Sequence, residues 1–416
     1  MALTDPRRSS QDGPTHGRAV RNLALALLAL AAIETLALSL RAGVGSLGAL
    51  LPVLRDDLGL GPAAVGLLTA LPTLCFAAIG LGAGRLILRY GAHATTLLVL
   101  GTLALGMVAR ALTDSPTAFI LATAVAMAGA AVGNVVLPTL AKLHFPHRVV
   151  AVSALYSVAI NLGATIAAAA AVPISTLAGW RTGLGIWAAL PVFSLLLWMP
   201  VVARRRHGAR APDASTTDTP GAVVARTRLG WAMALCFGAQ AAQAYVQFGW
   251  WSTIITDAGG DPAHAGALLA VIAGLSIPIT LALPALMRRT HRSAALPIAF
   301  AALTVLGWLG VLLAPLTLHG WPWAILLGLG SGAFAWTLVM IGVRSPTPAD
   351  AGRLSAFAQG IGYLLASAAT FATGLLHAAT GSWTPSLLLV LGLAVLIGAA
   401  GTAVARLPAV TRGGCS

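Results

Sequence analysis

Charged residues are scarce in this 416-residue chain, at 9% against 58% hydrophobic residues, and the mean hydropathy is +0.88. A water-soluble domain carries about 25% charged residues, so this composition excludes a soluble enzyme or a soluble binding module. Acids are the rarer sign, 11 against 25 Lys and Arg. Cysteine is sparse as well: Cys75, Cys236 and Cys415 lie far apart, with no CxxC and no His/Cys spacing. They read as small core residues and a tail thiol, with no metal or redox site. The chain also lacks a GxxxxGK[S/T] nucleotide loop, HExxH, GxSxG and any paired carboxylates within an apolar run. These absences argue against ATP-driven pumping and intramembrane hydrolysis, so neither enzyme activity nor a cofactor is expected. Without a soluble output domain, a receptor or sensor is disfavoured too.

Apolar length is what the chain has in abundance. Runs recur that are long enough to cross about 30 Å of hydrocarbon, which takes roughly 20 residues. They predict twelve transmembrane helices at 22–52, 62–87, 94–113, 117–141, 148–172, 183–202, 230–255, 263–287, 294–315, 321–343, 352–376 and 383–405. The fold class is therefore an all-α polytopic membrane protein whose solvent is the lipid bilayer. The N-terminal "DPRRSSQDG" holds a twin arginine, but the first apolar run starts well after it and contains an acid. That run reads as a retained helix, not a cleaved signal.

Charge then orients the helices. Odd-numbered connections hold Asp56, Asp57, Asp114, Asp257 and Asp261 against Arg55 and Arg181. Even-numbered connections and the tails hold most of the arginines, among them Arg7, Arg8, Arg89, Arg148, Arg288, Arg289 and Arg412. Basic residues mark the cytoplasmic side, so a plasma-membrane protein with both termini inside is expected. The formal charge of +14 is spread over short connections, which disfavours nucleic acid as a partner. The one long polar segment, "ARRRHGARAPDASTTDTPGAVVARTR", reads as a flexible cytoplasmic linker. The resulting division is a tail 1–21, a six-helix bundle 22–202, the linker 203–229, a second six-helix bundle 230–405 and a tail 406–416.

The two bundles look like copies. "GPAAVGLLTA" at 61–70 matches "DPAHAGALLA" at 261–270, and the same 200-residue offset pairs Ile79 with Ile279, Leu86 with Leu286 and Arg89 with Arg289. Duplicated, pseudo-symmetric six-helix halves are a signature of major facilitator transporters, whose solute site lies between the halves near the bilayer midplane. Helix by helix, the chain resembles the CynX/NimT branch of that superfamily. The residues that carry the likeness are "SLRAGVGSLGALLP" in helix 1, "GLLTALPTLCFA" in helix 2, "GNVVLPTLAKLHFP" in helix 4, "FGAQAAQAYVQFGWW" in helix 7, and "LSAFAQGIGYLLAS" with "TGSW" in helix 11. Ser39 and Ala42 depart from the branch's Asn and Pro around the helix 1 arginine. The superfamily's gating loop G-x-x-x-D-R-x-G-x-R appears at 84–93 as "GRLILRYGAH". It keeps Gly84, Arg89 and Gly91 but replaces the Asp by Leu88 and the last Arg by His93; Arg288 and Arg289 occupy the repeat-related loop. The helix 5 motif of proton-driven drug exporters is absent.

Polar residues inside the spans supply the candidate site. Arg41 stands in an apolar run, where a cation costs about 2.5–3.5 kcal/mol on insertion scales. Arginine keeps its proton and its planar fork suits carboxylate-like anions. It is either a solute clamp or an arginine reaching the outer interface, and the family pattern favours the clamp. Glu34 lies seven residues earlier on nearly the same face. It reads as a proton-coupling carboxylate, a charge partner or an incidental acid. Gln240, Gln243 and Gln247 form a stripe on helix 7 that faces either solute or a neighbouring helix, and Tyr245 and Trp250 either fit the branch's aromatic positions or act as interface anchors. Gln359 and Tyr363 follow Ser355 on one face of helix 11; by the repeat their counterparts are Ser153, Ser157 and Asn161, with Tyr156 close by. Asn134 follows Gly129 and Gly133, small residues that permit close helix packing. Arg110, Lys142, Arg181 and Arg344 read as snorkelling anchors, and His144, His147 and His264 as loop residues.

The resemblance and these residues together imply a secondary or facilitative transporter, expected to be a monomer. Its solute would be a small anionic or planar polar molecule, moved by alternating access with protons as a candidate co-solute. The alternative is an exporter of a toxic compound, drug or secondary metabolite.

Overall fold

A computed structural model describes residues 13–204, 224–290 and 294–408, and among them it contains α-helices and short 3-10 turns but no β-strand. The first twelve residues, most of the expected linker and the end of the C-terminal tail lie outside the described residues. In lipid every backbone polar group must be satisfied within the protein, which leaves helices as the form for these apolar runs.

The first half holds α1 (Gly13–Asp57), α2 (Pro62–Leu112), α3 (Pro116–His144), α4 (Val149–Gly185) and α5 (Ala189–Arg204). The second holds α6 (Arg228–Asp257), α7 (Pro262–Thr290), α8 (Ala295–Leu313), α9 (Trp321–Gly330), α10 (Gly332–Val343), α11 (Pro348–Thr380) and α12 (Thr384–Arg406). Side-chain caps start several of them: Ser115 accepts from the Ala118 amide, Thr227 from Gly230 and Thr347 from Asp350.

The boundaries correct the expected ones in four places. α1 begins at Gly13, well before position 22. The expected loop between the second and third spans shrinks to a turn at Gly91, whose φ of 80° is open to glycine and strained for other residues. The fifth span runs on beyond 172 and is cut from the sixth at Gly179, with φ of 82°. The tenth span is broken into α9 and α10 at Ser331.

Ten segments among the described residues are long and apolar enough to cross a membrane, one of them the 53-residue stretch Ala151–Ala203 that Gly179 divides in two. α6 completes the set of twelve; its three glutamines lower its hydropathy, yet it lies at the centre of the second half with residues Leu229–Ile255 almost wholly buried. The duplication is visible in the packing. Asp57 at the end of α1 accepts from the Trp180 indole at 2.6 Å, and Asp257 at the end of α6 accepts from the Trp383 indole at 3.0 Å. The turns that follow place Gly59 and Gly259 at φ of 59° and 93°.

The halves meet at the end that carries the aspartates. There α1 lies on α6 so closely that a Cβ on Gly48 would stand 1.6 Å from the Phe248 carbonyl oxygen. Gly249 lies against Thr69 of α2, Gly66 against Phe371 of α11, and Gly266 against Ala168 of α4. The Ser367 hydroxyl donates to Thr73 across the seam at 2.9 Å. Toward the opposite, arginine-bearing end the α1 surface opens: Ala42–Leu51 are buried without a break, whereas Glu34, Thr35, Leu38 and Arg41 form a half-buried stripe. Arg41 is therefore the last residue on α1 reached from the basic end.

Candidate functional site

Arg41 sits where the cleft ends. Its guanidinium carbon lies 5.6 Å from the centre of the Phe334 ring of α10, within reach of a cation–π attraction. Its charge acts on the hydroxyls of Tyr245 in α6 and Tyr363 in α11. Phe76 of α2 bridges those two tyrosines, with ring centres 6.1 and 5.1 Å away. Phe237 lies 5.1 Å from Tyr363 and 5.6 Å from Phe334. Four helices drawn from both halves, α2, α6, α10 and α11, thus wall one cation of α1 with aromatic rings. Among the described residues Arg41 makes no ion pair or hydrogen bond, and the buried Tyr245 hydroxyl has no partner. Beyond the box, the void lined by Val44, Leu47, Tyr245 and Phe248 is about 10 Å³, too small to pass a solute.

The other polar residues have different surroundings. Gln243 is engaged inside the second half: its amide donates to the Val390 carbonyl at 2.7 Å and its oxygen accepts from the Trp308 indole at 2.6 Å. Gln240 makes a long contact to the Ser331 carbonyl at 3.5 Å and leaves its own oxygen buried without a partner among the described residues. Gln247 is buried. Trp250 is buried too and donates to the Thr370 carbonyl, so it is not an interface anchor.

Asn134 and Asn161 turn their amides back onto the carbonyls of Ala130 and Ser157, and Gln359 donates to Ser355. All three are half-buried. Glu34 lies in the neighbourhood of Tyr156 of α4, and both its carboxylate oxygens are buried and without a partner among the described residues. Of the gating residues, Gly84 and Arg89 are exposed, Arg89 lies over the Tyr90 ring at 5.3 Å, and Gly91 makes the turn. The side chains of Arg288 and Arg289 lie outside the described residues.

Three of the expected snorkelling anchors are corrected by their contacts. Arg110 is fully buried. Arg181, the exception in the charge asymmetry, pairs with Asp114 and lies 4.0 Å from Asp57, so it joins an acidic cluster. Arg344 donates to the Ala405 carbonyl and ties α10 to α12. Lys142 is exposed. Sequence reasoning did not nominate Phe76, Phe237, Phe334 or Arg110 for the site. Phe76 and Phe237 carried a signal, as the closing residue of "GLLTALPTLCF" and the opening residue of "FGAQAAQAYVQFGWW".

Comparison with known proteins agrees with this architecture. The model of the Major Facilitator Superfamily matches residues 35–370. The chain is 31% identical to the 2-nitroimidazole transporter of Escherichia coli over 89% of its own length and 92% of that protein. It is 30% identical to the uncharacterized transporter YycB of Bacillus subtilis, covering 89% and 92% of the two chains, and 29% identical to the cyanate transport protein CynX of Escherichia coli, covering 88% and 95%. Among solved structures, a mutant of the nucleoside transporter NupG superposes with a TM-score of 0.74 at 14% identity, over 91% of this chain and 99% of that one.

Proposed function

The chain belongs to the Major Facilitator Superfamily, and on that premise we propose that it moves a small anionic or planar polar solute by alternating access, with Arg41 as the clamp. It is a multi-pass membrane transporter and not an enzyme, in the branch that holds the 2-nitroimidazole and cyanate transporters. Cyanate is a small monoanion and 2-nitroimidazole a planar ring, so the two relatives' solutes share the chemistry that a cation walled by aromatic rings accepts.

The observation that carries the proposal is the placement of Arg41. A permanent cation within a membrane span is costly unless a partner or water faces it, and no acid pairs with Arg41 among the described residues. A bound anion would supply the missing partner, and rings of Phe76, Phe334 and Tyr363 would stack on a planar solute. Because the box takes residues from both halves, solute binding is coupled to how the halves sit.

Basic residues mark the cytoplasmic side, which makes the open end cytoplasmic and the glycine seam external. In the plasma membrane, rocking one half against the other would part that seam and close the cleft. Glu34, whose buried carboxylate has no partner among the described residues, is the proposed proton or charge site. The proposed unit is a monomer.

Transport of cyanate and 2-nitroimidazole into proteoliposomes tests the clamp. A charge-assisted hydrogen bond contributes about 1.5–3 kcal/mol, so Arg41→Ala should weaken cyanate affinity roughly ten- to a hundredfold while folding and insertion persist. Arg41→Lys, which loses the planar fork, should recover only part. Wild-type transport by Arg41→Ala would remove the clamp from the proposal.

A further inference from the structure

Arg110 is the only fully buried cation among the described residues, and the transport reading does not use it. It stands near the end of α2, against the face of α1 opposite to Arg41. One guanidinium nitrogen donates to the Gly43 carbonyl at 3.1 Å and the other to the Ser46 hydroxyl at 3.4 Å. Ser46 in turn donates to the Ala42 carbonyl at 2.9 Å. The contacts therefore end on the two residues that follow Arg41. The Arg110 Nε is buried without a partner among the described residues, and no carboxylate pairs with the group there.

Stability does not account for an arginine at this place. Burying a guanidinium without a counter-ion is unfavourable, and replacing buried ions by apolar side chains of similar size is often neutral or stabilising. Methionine, already present beside it as Met107 and Met127, would fill the same space. What arginine alone adds is a pair of donors to the backbone and hydroxyl of α1. That stretch needs fixing, because Gly43, Gly45 and Gly48 fall within six residues and glycine weakens a helix through backbone entropy. At 100° per residue, positions 43 and 46 point away from position 41, so a tie at those positions sets the roll of α1. A roll of about 20° would swing a side-chain tip by about 2 Å on a helix of 10–12 Å diameter, enough to misplace a hydrogen bond.

We propose that Arg110 is a positioning residue of the transport site, which staples the Gly43–Ser46 turn of α1 and so fixes the roll at which Arg41 meets the aromatic box. The proposal rests on Arg41 being the clamp, and its test separates the two. In proteoliposomes, Arg110→Met should raise the KM for cyanate about tenfold, the loss expected when a charge-assisted contact is misplaced. Its thermal stability should equal or exceed that of the wild type, and Arg110→Lys, which keeps one donor, should recover part of the affinity. Ser46→Ala removes one acceptor and the link to Ala42, and should raise KM by a smaller factor; it serves if Arg110→Met does not fold. A second measurement needs no solute. In a chain whose native cysteines are replaced by serine, labelling of Arg41→Cys by a water-soluble thiol reagent from the basic end should slow when Arg110→Met is added. If Arg41→Ala transports normally but that labelling still slows, the staple stands and the clamp falls. Unchanged labelling, together with wild-type KM and kcat in Arg110→Met or unchanged KM in Ser46→Ala, would overturn the staple.

Discussion

Gly48→Ala probes how the acidic end is shut. The added Cβ would lie 1.6 Å from the Phe248 carbonyl oxygen and 2.8 Å from its carbon. Both are backbone atoms of α6, so no rotamer change relieves the clash. Ordinary contact begins near 3.4 Å, and α1 and α6 must therefore part by about 1.8 Å at this point. A gap of even 0.5–1 Å forfeits about a quarter to a half of each dispersion contact it opens, so the parting removes most of the local seam. The change is not a defect of helix formation, since alanine favours a helix over glycine by roughly 0.5–1 kcal/mol. The destabilised species is the conformation closed at this end. Reversing a 99:1 preference takes about 5.5 kcal/mol, a size that overlapping backbone atoms along one seam can reach.

The expected result is a population shifted toward the state open at the acidic end, with slowed transport. Thr69, now 6% exposed against Gly249, reports it: Thr69→Cys, in a chain without its native cysteines, should react faster with an impermeant thiol reagent applied from the acidic side. Gly101→Ala, where nothing lies within 4 Å of the added carbon, should change neither rate. Wild-type transport by Gly48→Ala with Thr69→Cys still protected would refute the close seam and the alternation built on it.

Gln243→Leu should lower stability without touching affinity, because it strands the buried Trp308 indole and removes the added bond to the Val390 carbonyl. At about 1–3 kcal/mol for a stranded group, thermal unfolding in detergent should register the loss, and a raised KM at unchanged stability would contradict the placement. Phe334→Ala should weaken 2-nitroimidazole more than cyanate, since an aromatic pair contributes about 0.5–1.5 kcal/mol beyond its area; equal losses would argue against stacking. Glu34→Gln should abolish stimulation of uptake by an imposed proton gradient while leaving exchange without a gradient intact, and persistent stimulation would place coupling elsewhere. Arg181→Ala, at a half-exposed pair with Asp114, should cost no more than about 1 kcal/mol and less in high salt, as a denaturation series at two ionic strengths would read.

What the sequence determined by itself is what a bilayer makes local. Apolar length, the sidedness of arginine and aspartate, and the 200-residue offset are properties of short stretches, and lipid leaves helices little freedom to be anything else. Arg41 was legible for the same reason: a lone cation in an apolar run is anomalous wherever its neighbours lie. Tertiary structure decided which way each polar side chain faces. Gln240, Gln243 and Gln247 share a face of α6, yet Gln243 is bound by Val390 and Trp308, residues far away in the chain. Arg110 lies near a helix end, where an arginine commonly snorkels, and it turned inward because α1 presents a glycine and a serine to it. The aromatic box draws on residues from Arg41 to Tyr363, and the shut seam depends on backbone approaches at Gly48 and Gly249. Such features depend on the register of one helix against another, which close contact fixes and hydropathy along a single helix does not encode.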